Sequence, residues 1–136
     1  MEHNNIPFFR PSIDEDEINE VIECLRSGWL TTGPRTAAFE DAFSSYIGGG
    51  AGAIAVNSAT AALHLGLEAL GVGSGDEVIV PTLTFTATAE VVRYLGAEPV
   101  FVDSESDTLC IDPDEVEGAI SSRTKAVIPV HFAGRP

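Results

Sequence analysis

The stretch Ala55-Val-Asn-Ser-Ala-Thr-Ala-Ala-Leu-His-Leu-Gly-Leu67 decides the fold class of this 136-residue chain. It begins as a short apolar run, passes through small and hydroxyl-bearing residues, and continues with apolar side chains at helical spacing. A strand that turns directly into a helix is typical of α/β domains. The amino end of such a helix carries unpaired amide donors and about half a positive charge. The turn therefore predicts an anion site that would fit a phosphate.

Ser58 also has a simpler interpretation, which the sequence leaves open. Serine is a common cap at strand-to-helix turns, where its hydroxyl only accepts a hydrogen bond from its own helix. The stretch is not a Walker loop, because the glycine-rich run and its lysine are missing. It is not a dinucleotide fingerprint either.

The chain after this turn continues to alternate strands with helices. The pattern predicts strands over 53–56, 77–80, 99–102 and 126–130, and helices over 59–70, 86–95 and 113–120, the last opened by Asp112 and Pro113. Strands this apolar are expected to be covered on both faces, as in parallel sheets. We therefore predict an α/β domain over 53–136, with a mainly parallel sheet and flanking helices.

Residues 1–52 are predicted to form a separate helical segment. An extended stretch over 6–11 precedes a helix capped by Ser12, with Glu15 three residues later and Gly28 at its end. A turn-forming stretch over 29–34 leads to a second helix. The apolar side of that helix carries Ala38, Phe39, Ala42, Phe43 and Tyr46, and Gly48, Gly49 and Gly50 end it.

Composition excludes several classes of protein. With 44% hydrophobic residues the chain can build a core, and its net charge of -14 disfavours nucleic acid and anionic lipid as partners. Cys24 and Cys110 lack a metal-ligand spacing, which argues against a zinc module or disulfide scaffold and favours the cytoplasm.

No apolar run approaches the roughly 20 residues that span a bilayer. The amino terminus also lacks a signal-peptide layout, so we expect a soluble protein that is not exported.

A second polar turn, over 81–86, follows the next predicted strand. Ligands of open parallel sheets gather outside the carboxyl ends of the strands, so both turns are expected to face one crevice. Phe85 could lie flat against a planar ring there, although an isolated phenylalanine is more often a core residue. His131 ends the last predicted strand and is expected at the same edge, where a lone histidine is usually a hydrogen-bonded structural group.

Five stretches together, in order and spacing, resemble the DegT/DnrJ/EryC1/StrS sugar aminotransferase family. They are Ser27-Gly-Trp-Leu-Thr-Thr-Gly-Pro34, Ala55-Val-Asn-Ser-Ala-Thr-Ala-Ala-Leu63, Gly75-Asp-Glu-Val-Ile-Val-Pro81, Thr84-Phe-Thr-Ala-Thr88 and Pro129-Val-His-Phe-Ala-Gly134. The resemblance covers nearly the whole chain from Pro7 onward and corresponds to the amino-terminal third of the family's proteins. Within the family, the chain looks most like enzymes that aminate C4 of a nucleotide-linked keto sugar, such as UDP-4-amino-4-deoxy-L-arabinose aminotransferases.

The resemblance implies a fold and a cofactor. The family has the fold type I large domain of transferases that depend on pyridoxal 5'-phosphate (PLP), and residues 53–136 would be the first part of it. It implies that Ser58, Ala59 and Thr60 hold the cofactor phosphate and that Phe85 stacks on the pyridine ring. His131 would lie at the edge of the cofactor.

The resemblance also implies a substrate and a reaction. It places Trp29, Thr31 and Thr32 beside the substrate. The reaction would transfer an amino group from an amino acid, glutamate in the first place, to a 4-keto nucleotide sugar in the biosynthesis of cell-surface polysaccharide or lipid A sugars. Family active sites are completed by a second subunit, so a homodimer is expected.

The resemblance further implies that the cofactor-binding lysine and the pyridine-binding aspartate lie downstream of the last motif. Lys125 is not expected to replace that lysine, since it starts the last predicted strand, at the edge opposite the crevice. No catalytic residue and no metal ligand is therefore expected in this chain. In the family's sheet, later strands are expected between the first and fourth strands and between the fourth and second. The chain alone should then be an inactive fragment with bare strand edges, poorly soluble or self-associating.

Two other functions stay open at this point. The chain could be a truncated, non-enzymatic relative that binds PLP or phosphate compounds noncovalently. It could also be an unrelated α/β domain for phosphate binding or protein interaction.

Overall fold

The computed structural model describes Pro7 and residues 9–136. These fall into two compact units with their boundary between Ala55 and Val56, here called the helical unit and the α/β unit. The predicted extended stretch over 6–11 lies partly outside the described residues, and its described residues have no regular structure. Among the helices described, none is both long and apolar enough to cross a membrane.

The helical unit contains α1 (Glu15–Ser27) and α2 (Pro34–Ile47). The predicted end of α1 is confirmed, because Gly28 adopts a left-handed conformation with φ of 73° and its amide bonds back to the Leu25 carbonyl. The predicted cap is wrong: Asp14, not Ser12, caps the helix. Asp14 Oδ1 accepts from the Asp16 amide at 3.1 Å, and Glu17 Oε2 accepts from the Asp14 amide at 2.8 Å.

The reason for the wrong cap lies in the sequence itself. It holds two overlapping capping boxes with the same spacing, one starting at Ser12 and one at Asp14. The helix uses the later one. Neither α1 nor α2 has a buried residue, so the apolar faces of both helices are exposed.

The α/β unit is a three-stranded sheet with helices. Its elements are α3 (Ala59–Ala69), β1 (Glu77–Pro81), α4 (Ala87–Tyr94), β2 (Glu98–Val102), α5 (Pro113–Ala119), β3 (Thr124–Val127) and a 3-10 turn over Phe132–Gly134. The sheet order is β2-β1-β3 and both pairings are parallel. As predicted, Asp112 caps α5, accepting from the Asp114 amide at 2.9 Å, and Pro113 opens it.

The core of the α/β unit lies around β1. Val78 and Val80 are fully buried with Val91 and Val92 of α4, and Leu67 of α3 joins the same cluster. Every residue of β1 is buried. Coverage on both faces was predicted for all strands, yet β2 and β3 keep exposed apolar residues, because both are edge strands of this sheet.

The strand predicted over 53–56 does not form. None of its residues pairs with β1, β2 or β3, the strands of the described sheet. The Ala55 amide instead donates to Glu40 Oε1 at 2.7 Å, and Ile54 is 87% exposed.

The last strand differs from prediction in extent and place. It starts at Thr124 and ends at Val127, not over 126–130. It pairs directly with β1, with Val78 opposite Ala126, so the expectation that other strands separate the two was wrong. The start of β3 is held there because the Glu77 amide donates to the Arg123 carbonyl at 2.8 Å, and the Arg123 guanidinium donates to the buried Glu77 carboxylate.

Candidate functional site

The amino end of α3 is built around Ser58. Its Oγ accepts from the Ala61 amide at 3.1 Å, which confirms that Ser58 caps the helix. The Ser58 carbonyl accepts from the Ala62 amide at 3.1 Å. The Ser58 hydroxyl also donates to Asn57 Oδ1 at the long distance of 3.5 Å. Its rotatable proton and second lone pair leave it able to contact a ligand as well.

Two backbone donors remain at this helix end. The first amides of an α-helix have no partner inside the helix, and Ser58 satisfies only that of Ala61. Those of Ala59 and Thr60 have no acceptor among the residues that the structure describes. Together with the positive end of the helix dipole, they form a site that attracts a single anionic group.

Phe85 lies in the turn between β1 and α4. The backbone there is fixed, because the Phe85 carbonyl accepts from the Thr88 amide at 3.0 Å and the Thr84 hydroxyl bonds that of Thr88 at 2.7 Å. The ring itself is 80% exposed. Phe85 is therefore not a core residue, and its face is free for a planar partner.

The two turns lie toward one edge of the sheet. α3 and α4 pack side by side, with the rings of His64 and Tyr94 5.7 Å apart. The carboxyl ends of the two helices lie close together. Gly96 follows α4 and Ser74 follows α3, and a Cβ placed on Gly96 would lie 3.8 Å from Ser74 Cβ. The Ser74 segment leads into the start of β1. Both helices consequently begin toward the opposite edge, where β1 ends and the Phe85 turn follows.

His131 lies four residues beyond β3, which is parallel to β1. It lines a small cavity of about 200 Å³ together with Glu105, Cys110 and Pro129. Neither Ser58 nor Phe85 lines that cavity.

Sequence reasoning missed a polar pair at the carboxyl ends of β1 and β2. The Thr82 hydroxyl donates to Asp103 Oδ1 at 3.4 Å, and the same oxygen accepts from the Ser104 amide at 2.8 Å. The signal was available, since both residues directly follow apolar strands at the edge where ligands of parallel sheets gather.

Trp29, Thr31 and Thr32 lie in the helical unit, in the loop from α1 to α2. They line an open cleft with residues of both helices, among them Cys24 and Phe39. The Trp29 indole Nε1 donates to the Thr32 carbonyl at 3.0 Å. The three residues predicted to contact substrate are therefore brought together.

Lys125 lies on β3 next to Thr124, which pairs with Glu77 at the start of β1. It is exposed. Because the strands are parallel, Lys125 lies near the amino edge of the sheet, opposite the edge where the Phe85 turn begins.

Comparison with known proteins identifies the family. The model of the DegT/DnrJ/EryC1/StrS aminotransferase family matches residues 11–136. The chain belongs to this family. The predicted resemblance is therefore confirmed at the level of the family.

Several individual proteins are similar over almost the whole chain. An uncharacterized protein of Methanocaldococcus jannaschii is 53% identical over 96% of this chain and 34% of its own length. Spr1654 of Streptococcus pneumoniae, described as a sugar aminotransferase and solved in a PLP form, is 50% identical over 97% of this chain and 33% of its own, with a TM-score of 0.86. NtdA of Bacillus subtilis, solved with bound pyridoxamine phosphate (PMP), is 42% identical over 90% of this chain and 29% of its own, with a TM-score of 0.79.

These family members also confirm the predicted fold class. At identities of 42–50% and TM-scores of 0.79–0.86, the parallel sheet with flanking helices is shared with aminotransferases. The chain spans about a third of the length of the relatives that it matches.

Proposed function

We propose that this chain forms the part of an aminotransferase that holds the phosphate and contacts the ring of PLP. Ser58, Ala59 and Thr60 would bind the phosphate, and Phe85 would contact the ring. The observation that carries the proposal is the amino end of α3, where a serine hydroxyl adjoins two amides that have no acceptor among the described residues. Support comes from Spr1654, which is 50% identical and was solved in PLP and PMP forms.

When bound, PLP supplies an electron-accepting ring through which an amino group can move between an amino acid and a keto sugar. The residues of this chain bind and orient. The α3 amides and the Ser58 hydroxyl hold the anion in a chain whose net charge of -14 would otherwise repel it. The exposed face of Phe85 would contact the ring and so help to orient it.

The finer assignments belong to the same proposal. Trp29, Thr31 and Thr32 would contact the substrate, a 4-keto nucleotide sugar, and an amino acid such as glutamate would donate nitrogen. His131 would lie at the edge of the cofactor. We further propose a cytoplasmic homodimer that serves cell-surface polysaccharide synthesis, with residues 1–52 as its helical segment and residues 53–136 as the first part of its PLP domain.

A second candidate function, noncovalent binding of PLP, is favoured by the position of Lys125. It is the only lysine of the sequence and is the second residue of β3, near the edge opposite the Phe85 turn. This chain by itself would then bind PLP noncovalently and transfer nothing. Borohydride reduction followed by mass measurement tests this candidate, since a pyridoxyl adduct on Lys125 would exclude the noncovalent state.

The phosphate site is tested by NMR titration of the chain with PLP. We expect the amide signals of Ala59 and Thr60 to shift, and pyridoxal, which lacks the phosphate, to leave them in place. Ser58→Asp is the sharpest variant, because aspartate also caps helices while its charge repels phosphate. It should keep the melting temperature and lose the shifts.

Ser45→Ala, an exposed change within α2, is the matched control and should titrate like the wild type. Undiminished binding of PLP by the Ser58→Asp variant, or equal shifts with pyridoxal, would contradict the proposed site.

A further inference from the structure

The loop from α1 to α2 is closed by a single side chain, Trp29. Its backbone is anchored to the end of α1, because its amide donates to Ser27 Oγ at 3.1 Å and its carbonyl accepts from Cys24 Sγ at 3.4 Å. Its side chain reaches forward, where the indole Nε1 donates to the Thr32 carbonyl at 3.0 Å. Trp29 thus spans the loop from its first residue to its fourth.

Gly33 leaves room for this ring. Its φ of -173° is extended backbone that any residue adopts, so conformation does not require glycine here. Space does: a Cβ on Gly33 would lie 2.2 Å from Trp29 Nε1, 2.6 Å from Cδ1 and 2.7 Å from Cε2. A Cβ atom does not approach a non-bonded heavy atom this closely, so any side chain at this position must displace the indole.

The closed loop leaves its two threonines available. Thr31 and Thr32 are exposed, and neither hydroxyl has a hydrogen-bond partner within the part of the chain that the structure describes. The Thr32 carbonyl, by contrast, is already occupied by the indole. A ligand at this loop would therefore meet two free hydroxyls on a backbone that is already fixed, which lowers the entropy lost on binding.

We propose that Trp29 is a positioning residue, which holds the loop over 29–33 closed from inside and so sets the direction of Thr31 and Thr32, and that Gly33 is required to admit its indole. This goes beyond the assignment of Trp29 as a substrate contact. It rests on the proposed function in one respect, namely that the loop contacts a nucleotide sugar.

Fluorescence tests the closure without any ligand, because Trp29 is the only tryptophan of the chain. In the Gly33→Ala variant the indole should leave the loop, giving a red-shifted emission and stronger quenching by acrylamide. Gly52→Ala is the matched control: it lies in the same unit, and its Cβ would meet nothing within 4 Å. Emission and quenching of the Gly33→Ala variant identical to those of Gly52→Ala would overturn the proposal.

Trp29→Phe tests whether the indole N–H acts through Thr32. A smaller aromatic ring is kept and the N–H donor is lost, so the NMR order parameters of the Thr31 and Thr32 amides should fall. Affinity for the probe UDP-glucose should fall about two- to tenfold, the value of one ordinary hydrogen bond. Wild-type order parameters together with wild-type affinity in the Trp29→Phe variant would overturn the positioning role.

The two proposals fail in different ways. If the wild-type chain does not bind UDP-glucose at all, the assignment of this loop to nucleotide sugars fails. The fluorescence and order-parameter measurements then still decide whether Trp29 closes the loop, since neither needs a ligand.

Discussion

The helical unit and the α/β unit use apolar residues in opposite ways. In the α/β unit, Ile79 and its neighbours in β1 are fully buried between helices and strands. In the helical unit, Ile13 is 62% exposed, and α1 and α2 have no buried residue. Both units nevertheless form the helices that their periodicity predicts. A periodic apolar pattern therefore indicates a helix without indicating what covers its face.

The largest expected difference between the units comes from equal substitutions in each. Ile79→Ala should lower the free energy of unfolding by about 2–5 kcal/mol, because it removes fully buried methyl groups and leaves a cavity. Ile13→Ala removes the same atoms from an exposed position and should change it by less than about 0.5 kcal/mol. Urea denaturation followed by circular dichroism measures both. Equal losses would show that the helical unit has a core of its own.

Ion pairs are expected to show a smaller difference between the two units. Arg123→Gln should lower the free energy of unfolding by about 1–2 kcal/mol, because it leaves the Glu77 carboxylate, whose side chain is 9% exposed, without its cation. The Ser121 hydroxyl still donates to that carboxylate, which limits the loss.

The control for this pair lies in α1. Arg26→Gln breaks the pair with Glu23, whose two side chains are 73% and 54% exposed, and should cost less than about 0.5 kcal/mol. Thermal unfolding of the two variants side by side gives the comparison. A loss of stability for Arg26→Gln as large as that for Arg123→Gln would contradict the expected difference between the two ion pairs.

Features that depend on neighbours in the chain could be predicted from the sequence. Asp112 and Pro113 open α5, Ser58 caps α3 and Gly28 ends α1, since capping and turn chemistry act within a few residues. The prediction that Ser12 caps α1 was wrong for a reason that is also local: Asp14 offers an equal capping box two residues later.

Features that depend on distant partners could not be predicted. Residues 53–56 have the apolar pattern of a strand, yet the Ala55 amide bonds a glutamate side chain fifteen residues away. The place of β3 beside β1 depends on contacts between Glu77 and Arg123. For the candidate site, the sequence indicated the Ser58 turn and Phe85, whereas the role of Gly33 required the position of the Trp29 ring.

Removing a helix cap should give the smallest difference in stability between the two units. It tests directly whether a local feature also affects the rest of its unit. Asp14→Ala and Ser58→Ala each remove one side-chain cap, worth about 1 kcal/mol. α3 contributes Leu67 to the core, so losing its cap should lower the global stability of the α/β unit. α1 has no buried residue, so losing its cap should only fray its first turn. Native-state hydrogen exchange separates these outcomes: Ser58→Ala should speed exchange of the slowest β1 amides, whereas Asp14→Ala should affect α1 alone. Faster exchange in β1 after Asp14→Ala would mean that the two units unfold together.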